Sequence, residues 1–266
     1  MRGFRETQGG RDFSVAGCRC GMEIIAVYSS KGGVGKTATA VNLAYVSALH
    51  GQSVLLCDMD SQGAASYYFR IRPKKKFNDK KFLRGDVNGY IRGTDFANLD
   101  LLPAHFSFRH LDITLEKLEK KGKVSVLRSV FGPVADTYDL VILDCPPNLT
   151  LLAEHIVRVA DILVTPVIPT TLSILALKQL LQIVGELKVD QKKIKAFFSM
   201  VEKRKNLHMA TIEQYRKYPV FLKSAIPFLA EIEKMGITRQ PVGAAASNSV
   251  AALAYESLWQ EIRQGS

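Results

Sequence analysis

The run Ser29–Thr39, SSKGGVGKTAT, holds the residues of this 266-residue chain best suited to do chemistry. Across Gly32, Gly33, Val34 and Gly35, consecutive backbone N–H groups can converge on one phosphate, because glycine allows backbone angles and a close approach that a side chain would block. A helix that follows adds the positive end of its dipole. Lys36 is then placed to reach β- and γ-phosphates, and the Thr37 hydroxyl to bind magnesium. Two features depart from the usual phosphate loop: Ser30 stands where its first glycine would be, and Lys31 is an additional lysine.

Three acidic residues are candidates for the metal and the water. Asp144 ends the apolar run of YDLVILD, and Asp58 and Asp60 end that of SVLLCDMD. Magnesium on a nucleotide keeps several waters, so Asp144 is expected to act through one of them. Residues two apart in an extended chain share a side, so Asp58 and Asp60 can face the phosphates together, one in the metal shell and one orienting the attacking water. The competing use of Asp58 is to cap a helix or turn.

These residues need elements to hold them. Ile24–Tyr28 reads as a strand, the glycine run as a turn, and Ala38–Leu49 as a helix. Strands are also expected at Ser53–Cys57, Leu99–Leu102, Leu140–Leu143, Ile162–Val167, Ile194–Met200 and Phe221–Ile226, with helices at Leu172–Leu187, Leu207–Lys217 and Val250–Ile262. Lys74–Arg84 reads as an exposed excursion. Strands alternating with helices predict an α/β fold with a doubly wound, mostly parallel sheet, which binds ligands at the carboxyl ends of its strands. One domain is expected over 22–266, with 1–21 a disordered extension.

In order, the segments SKGGVGKTATAVNLA, LLCDMDSQGAAS, ANLDLLPA, YDLVILDCPPNL and TPVIPTTLSILAL resemble the ParA branch of the ParA/MinD family of deviant Walker-type ATPases. The resemblance runs from Met22 to about Leu177 and continues more weakly to the end. It implies a P-loop ATPase that uses ATP and Mg2+ and closes face to face as a homodimer. It also implies that Lys31 reaches into the partner's site while Lys36 acts in its own, and that residues Lys31 to Ala38 bind nucleotide. Thr37, Asp58 and Asp144 would serve the metal, and Asp60 would activate water. Gly33 would leave room for the incoming lysine. Two positions depart from the family: Ala38 replaces a common threonine and Ser61 a proline.

The formal net charge of +11 suggests a polyanionic partner. The resemblance implies non-specific DNA on the nucleoid, with Lys192, Lys193, Lys195, Lys203, Arg204, Lys205, Arg216, Lys217 and Lys223 as candidates on one face of the dimer. Phe228 stands where relatives often carry a second arginine. A ParB-like or other cargo-adaptor partner would stimulate a slow hydrolysis, and the cargo would be a plasmid, a chromosome or a large assembly such as a carboxysome.

Other classes fit less well. With 47% hydrophobic and 23% charged residues, the composition is that of an ordinary globular protein and selects no narrower class. No apolar run approaches the ~18 residues that span a bilayer, and the first residues are too polar for a secretory leader. Cys18, Cys20, Cys57 and Cys145 lack metal-ligand spacing, which argues against the cluster-carrying relatives and for a reducing cytoplasm. A membrane-associated MinD-like switch is the alternative. The final helix argues against it, because its apolar stripe Val250, Leu253, Ala254, Leu258 and Ile262 suits packing on the sheet, with Trp259 beside it and Glu256 and Glu261 on the polar side.

Overall fold

The computed structural model describes residues 21–120 and 126–264. The expected extension 1–21, apart from Gly21, lies outside the described residues, as do Cys18 and Cys20. Among the described residues, β1 (Glu23–Val27), β2 (Val54–Asp58), β3 (Arg92–Gly93), β4 (Leu99–Leu102), β5 (Leu140–Asp144), β6 (Ile162–Val167), β7 (Ile194–Val201) and β8 (Phe221–Pro227) form one sheet. Its order is β3-β4-β2-β5-β1-β6-β7-β8, antiparallel at the β3–β4 edge and parallel elsewhere. The longer helices are α1 (Lys36–Leu49), α2 (Leu111–Glu119), α3 (Leu151–Val159), α4 (Thr171–Glu186), α5 (Asn206–Tyr215) and α6 (Val250–Gln264).

The central strands are continuous apolar runs because both of their faces are covered. Ile24, Ala26 and Tyr28 share one layer with Leu55, Cys57, Val141 and Leu143, beneath α2, α3 and α4. Ile25 and Val27 share the other with Val54, Leu56, Leu140 and Ile142, beneath α1 and α6. Each fully buried aliphatic side chain contributes roughly 1.5–3 kcal/mol relative to exposure. A one-residue slip of β1 would exchange its two layers, so the register is tightly held.

Chain direction opens the functional crevice. From β1 the chain passes through α1 to β2 on one side, whereas from β5 it passes through α3 to β6 on the other. The loops after β1 and β5 therefore diverge at the carboxyl edge, as expected of a topological switch point.

Several elements differ from expectation. β2 and β5 each run one residue further, taking Asp58 and Asp144 into the strands. The expected elements do not include helices α2 and α3, although the apolar spacing of Leu152, Ile156 and Val159 is that of an amphipathic helix. Lys74–Arg84 is not simply an exposed excursion, because it contains a short helix, Asp79–Phe82, whose Phe82 is fully buried. The apolar stripe of α6 is also displaced. Val250 and Leu253 are 61% and 53% exposed, while Ala251, Ala252, Tyr255, Leu258, Trp259 and Ile262 face the core. Ala251 and Ala252 take the places in the contact that Val250 and Leu253 were expected to hold, while Leu258 and Ile262 stay inward. Cys57 and Cys145 are buried thiols.

Candidate functional site

The loop after β1 ends in two glycines with left-handed backbone, Gly33 at φ 69° and Gly35 at φ 93°. A Cβ on Gly35 would lie 3.1 Å from the Ser199 hydroxyl, so this position needs glycine on both counts. Helix α1 begins at Lys36 with no side-chain cap and no acidic residue in its first turn. Its positive end and leading N–H groups thus face the loop without an internal anion to satisfy them. Lys36 is 8% exposed and folds across the loop, its Nζ donating to the Lys31 carbonyl at 3.1 Å. Burial lowers the pKa of this ammonium, against the opposing pull of Asp144.

Strand alternation brings the two carboxylates beneath the same helix. In β2 and β5 the residues two and four before Asp58 and Asp144 face the α1 layer, so both aspartates point that way. They are also register partners across the β2–β5 pair, and Asp144 pairs in turn with Val27 at the end of β1. Asp58 is fully buried, and its Oδ2 accepts hydrogen bonds from the Ser66 backbone N–H at 2.8 Å and the Ser66 hydroxyl at 2.7 Å. This contact is the competing, capping use of Asp58, at the start of the short helix Ala64–Tyr68. Among the described residues its other oxygen has no hydrogen-bond partner, nor does either oxygen of Asp144; the Thr37 side chain lies beside Asp144 and favours its charged form. Burial raises the Asp58 pKa to about 6 and that of Asp144 well above the usual carboxylate range, each aided by nearby acidic neighbours.

Three buried carboxylate oxygens without partners are costly unless a cation serves them. Together with the Thr37 hydroxyl they form a hard oxygen donor set of the kind magnesium takes. Asp60 lies outside the buried pair, though near enough for its charge to raise the pKa of both. It lies in the turn beyond β2, half-buried, where its Oδ1 accepts from the Gln62 N–H at 3.0 Å. It borders a cleft of about 340 Å³ shared with Arg109, Pro146 and Asn148. The extended geometry expected for Asp58 and Asp60 therefore ends at Asp58, leaving one carboxylate dry and one open to water.

Lys31, expected to cross to a partner, bonds within its own chain, its Nζ donating to Ser173 Oγ at 2.9 Å. Three further contacts lacked a sequence signal. Ser66 holds Asp58; the buried Tyr28 hydroxyl donates to the Asn148 carbonyl at 3.2 Å, tying the loop after β5 to the end of β1. A small apolar slot of about 30 Å³ opens beside Gly35 and Ala38, bounded by Met200, Pro227, Phe228 and Leu229. Phe228, which stands where relatives often carry an arginine, is one of its walls.

The nine candidate DNA residues do not make one patch. Lys203, Arg204 and Lys205 follow the carboxyl end of β7, whereas Lys192, Lys193 and Lys195 flank its amino end, roughly 25 Å away along the strand. Arg216 and Lys217, between α5 and the start of β8, lie with the second group, and Lys223 is the third residue of β8. Some are already engaged: Lys193 donates to the Ala160 carbonyl at 2.7 Å, Lys205 pairs with Glu202, and Arg216 lies 3.5 Å from Glu213. The single basic face expected from the sequence is thus divided between opposite edges of the sheet.

A glycine loop leading into an uncapped helix at the switch point of a parallel sheet, with acidic ends on the adjoining strands, defines a P-loop nucleotide hydrolase. A family profile described as an AAA domain matches residues 22–197. Over 206 residues the chain is 32% identical to the sporulation initiation inhibitor protein Soj of Bacillus subtilis, covering 74% of this chain and 79% of that protein. It is 28% identical over 241 residues to the chromosome-partitioning ATPase Soj of Treponema pallidum, covering 88% and 94%. Its fold is similar to that of cobyrinic acid a,c-diamide synthase from Mycobacterium smegmatis, solved with an ATP analogue and magnesium (TM-score 0.76, 23% identity, covering 91% and 94%). The chain belongs to the ParA family of P-loop ATPases. Among the described residues, no helix is long and apolar enough to cross a membrane.

Proposed function

We propose that this chain is an ATP-dependent dimerising switch that binds DNA non-specifically on the nucleoid and positions an intracellular cargo. Residues 22–266 act as one ATPase domain, with 1–21 as an extension. The observation that carries the reading is the two-lysine loop set above Asp58 and Asp144, three of whose four carboxylate oxygens lack a protein partner. The relative named as a chromosome-partitioning ATPase supports the cargo-positioning role.

Bound magnesium supplies positive charge against the phosphate oxygens. Thr37 and Asp58 contribute to its shell, and Asp144 acts through water. The backbone from Lys31 to Ala38 cradles the phosphates, and Lys36 leaves the Lys31 carbonyl to meet the β- and γ-phosphates of its own nucleotide. Lys31 crosses to the partner's phosphates, where its charge offsets the repulsion between two facing nucleotides. Dimerisation thereby reports the γ-phosphate. Asp60, open to its cleft, orients the attacking water. Hydrolysis, stimulated by a ParB-like or other cargo-adaptor partner, removes the charge that Lys31 recognises and opens the dimer. The cargo is of the plasmid, chromosome or large-assembly class.

Three variants test this. Lys36→Gln is expected to abolish ATP binding in calorimetry. Asp60→Ala is expected to bind ATP and persist as a dimer in sedimentation, without turnover. Lys31→Ala is expected to bind ATP but remain monomeric, and a Lys31→Ala protein that dimerises and hydrolyses ATP normally would falsify the switch.

A further inference from the structure

Lys31 is restrained at both ends. Its ammonium donates to Ser173 Oγ at 2.9 Å, and its carbonyl accepts from Lys36 Nζ at 3.1 Å. Ser173 is 3% exposed in the first turn of α4, and its oxygen also accepts from the Thr170 hydroxyl at 3.2 Å. A serine hydroxyl oxygen accepts two hydrogen bonds, so both sites on Ser173 are filled and one is committed to Lys31.

The perch is electrostatically awkward. α4 is 16 residues long, and an ammonium beside its first turn sits at the positive end of the helix dipole. No acidic side chain forms an ion pair with Lys31 among the described residues. A hydrogen bond therefore holds the lysine where the helix field opposes it, and the hold is weak enough to lose against phosphate. The carbonyl link adds a trigger, because Lys36 must give up the Lys31 carbonyl before it can reach a phosphate.

We infer that Ser173 is a positioning residue for Lys31: it keeps the ammonium in its own subunit while the loop is empty, and a phosphate that draws Lys36 away from the Lys31 carbonyl loosens this hold. The inference rests on the proposed crossing of Lys31 to a partner, since only a lysine needed elsewhere makes the perch a competitor. Ser173 touches neither nucleotide nor metal in this scheme. It sets how readily the lysine is released.

The test reads Lys31 directly, and dimerisation separately. Brief acetylation with acetic anhydride, followed by peptide mass spectrometry, reports the accessibility of the Lys31 amine. Sedimentation with a non-hydrolysable ATP analogue reports dimerisation. Without nucleotide, Ser173→Ala is expected to raise Lys31 labelling roughly three- to tenfold, the scale of one lost hydrogen bond, and to lower the midpoint for dimerisation by a similar factor. ADP is expected to raise labelling in the wild-type protein without dimerisation, through Lys36. Ser173→Asp places a carboxylate where the helix dipole favours it; it is expected to reduce labelling and weaken the dimer. Unchanged labelling in both Ser173 variants would overturn the perch. Increased labelling in Ser173→Ala with an unaltered dimer midpoint, while Lys31→Ala stays monomeric, would overturn the competition. A Lys31→Ala protein that still dimerises would instead overturn the crossing itself, whatever the labelling shows.

Discussion

Asp58 shows what the site costs before it is filled. Its carboxyl is buried beside Asp144 and accepts from Ser66 on one oxygen only, and burial raises its pKa from 3.8 to about 6. Between those values the folded chain keeps a proton that the unfolded chain releases. Stability of the nucleotide-free protein therefore falls as pH rises through this window, and the penalty is fully present above about 6. Asp58→Asn removes the unpaired charge. It is expected to stabilise the nucleotide-free protein at pH 7 by on the order of 2 kcal/mol, to flatten the pH slope, and to weaken magnesium-dependent ATP binding. Urea unfolding at pH 4.5 and 7 checks the first two, and calorimetry with and without magnesium the third. A variant no more stable than the parent at pH 7 would mean that water or rearrangement already relieves the buried carboxylate.

At the scale of elements, the sheet must protect the strand at its parallel edge. β8 lies at the edge and is guarded by α6, whose Glu261 accepts from the Lys223 and Ser224 backbone N–H groups at 2.7 Å each. An unpaired edge invites strand addition, and this carboxylate satisfies two of its donors. Burial alone would raise the Glu261 pKa, but the bonds from Ser224 and Lys223 outweigh it and hold the carboxyl below its ordinary value. The stabilisation is thus present above the unfolded glutamate value and is lost as pH falls through the folded one. Glu261→Ala is expected to cost about 1 kcal/mol in urea unfolding at pH 7 and to increase amide exchange at Lys223 and Ser224 in hydrogen-exchange mass spectrometry. Exchange no faster than in the parent protein would assign the edge's protection to packing of Leu258 and Ile262 instead.

At the scale of the whole molecule, the question is which edge of the sheet meets DNA. The net charge of +11 is spread over both edges, but the phosphate loop, Lys31 and the proposed dimer face are all at the carboxyl edge. Lys203 and Arg204 emerge there, exposed and in no ion pair among the described residues. Reversing both to glutamate is expected to reduce the slope of log affinity against log salt by about two, one for each lost phosphate contact. Reversing Lys192 and Lys217 at the opposite edge is expected to leave that slope intact. Fluorescence anisotropy with duplex DNA across a salt series reads both. The reverse ranking would move DNA to the amino edge, away from the nucleotide.

The sequence by itself determined what depends on neighbouring residues. Glycine spacing, Lys36–Thr37 and the helix that follows lie within one turn of one another, so the phosphate loop is legible as a local pattern. The apolar runs of β1, β2 and β5 are equally plain, because a strand buried on both faces needs no partner to look apolar. Tertiary structure alone decided what depends on sheet order and on the rotation of helices. It set Asp58 in register with Asp144, 86 residues later, and left three of their oxygens without partners. It turned α6 on Ala251 and Ala252 rather than on Val250 and Leu253, and it divided the basic residues between two edges. It also brought Ser173 to Lys31 across 142 residues of chain. A hydrogen bond between a loop lysine and a helix serine leaves no periodicity to read, since either residue alone would be at home on a solvated surface.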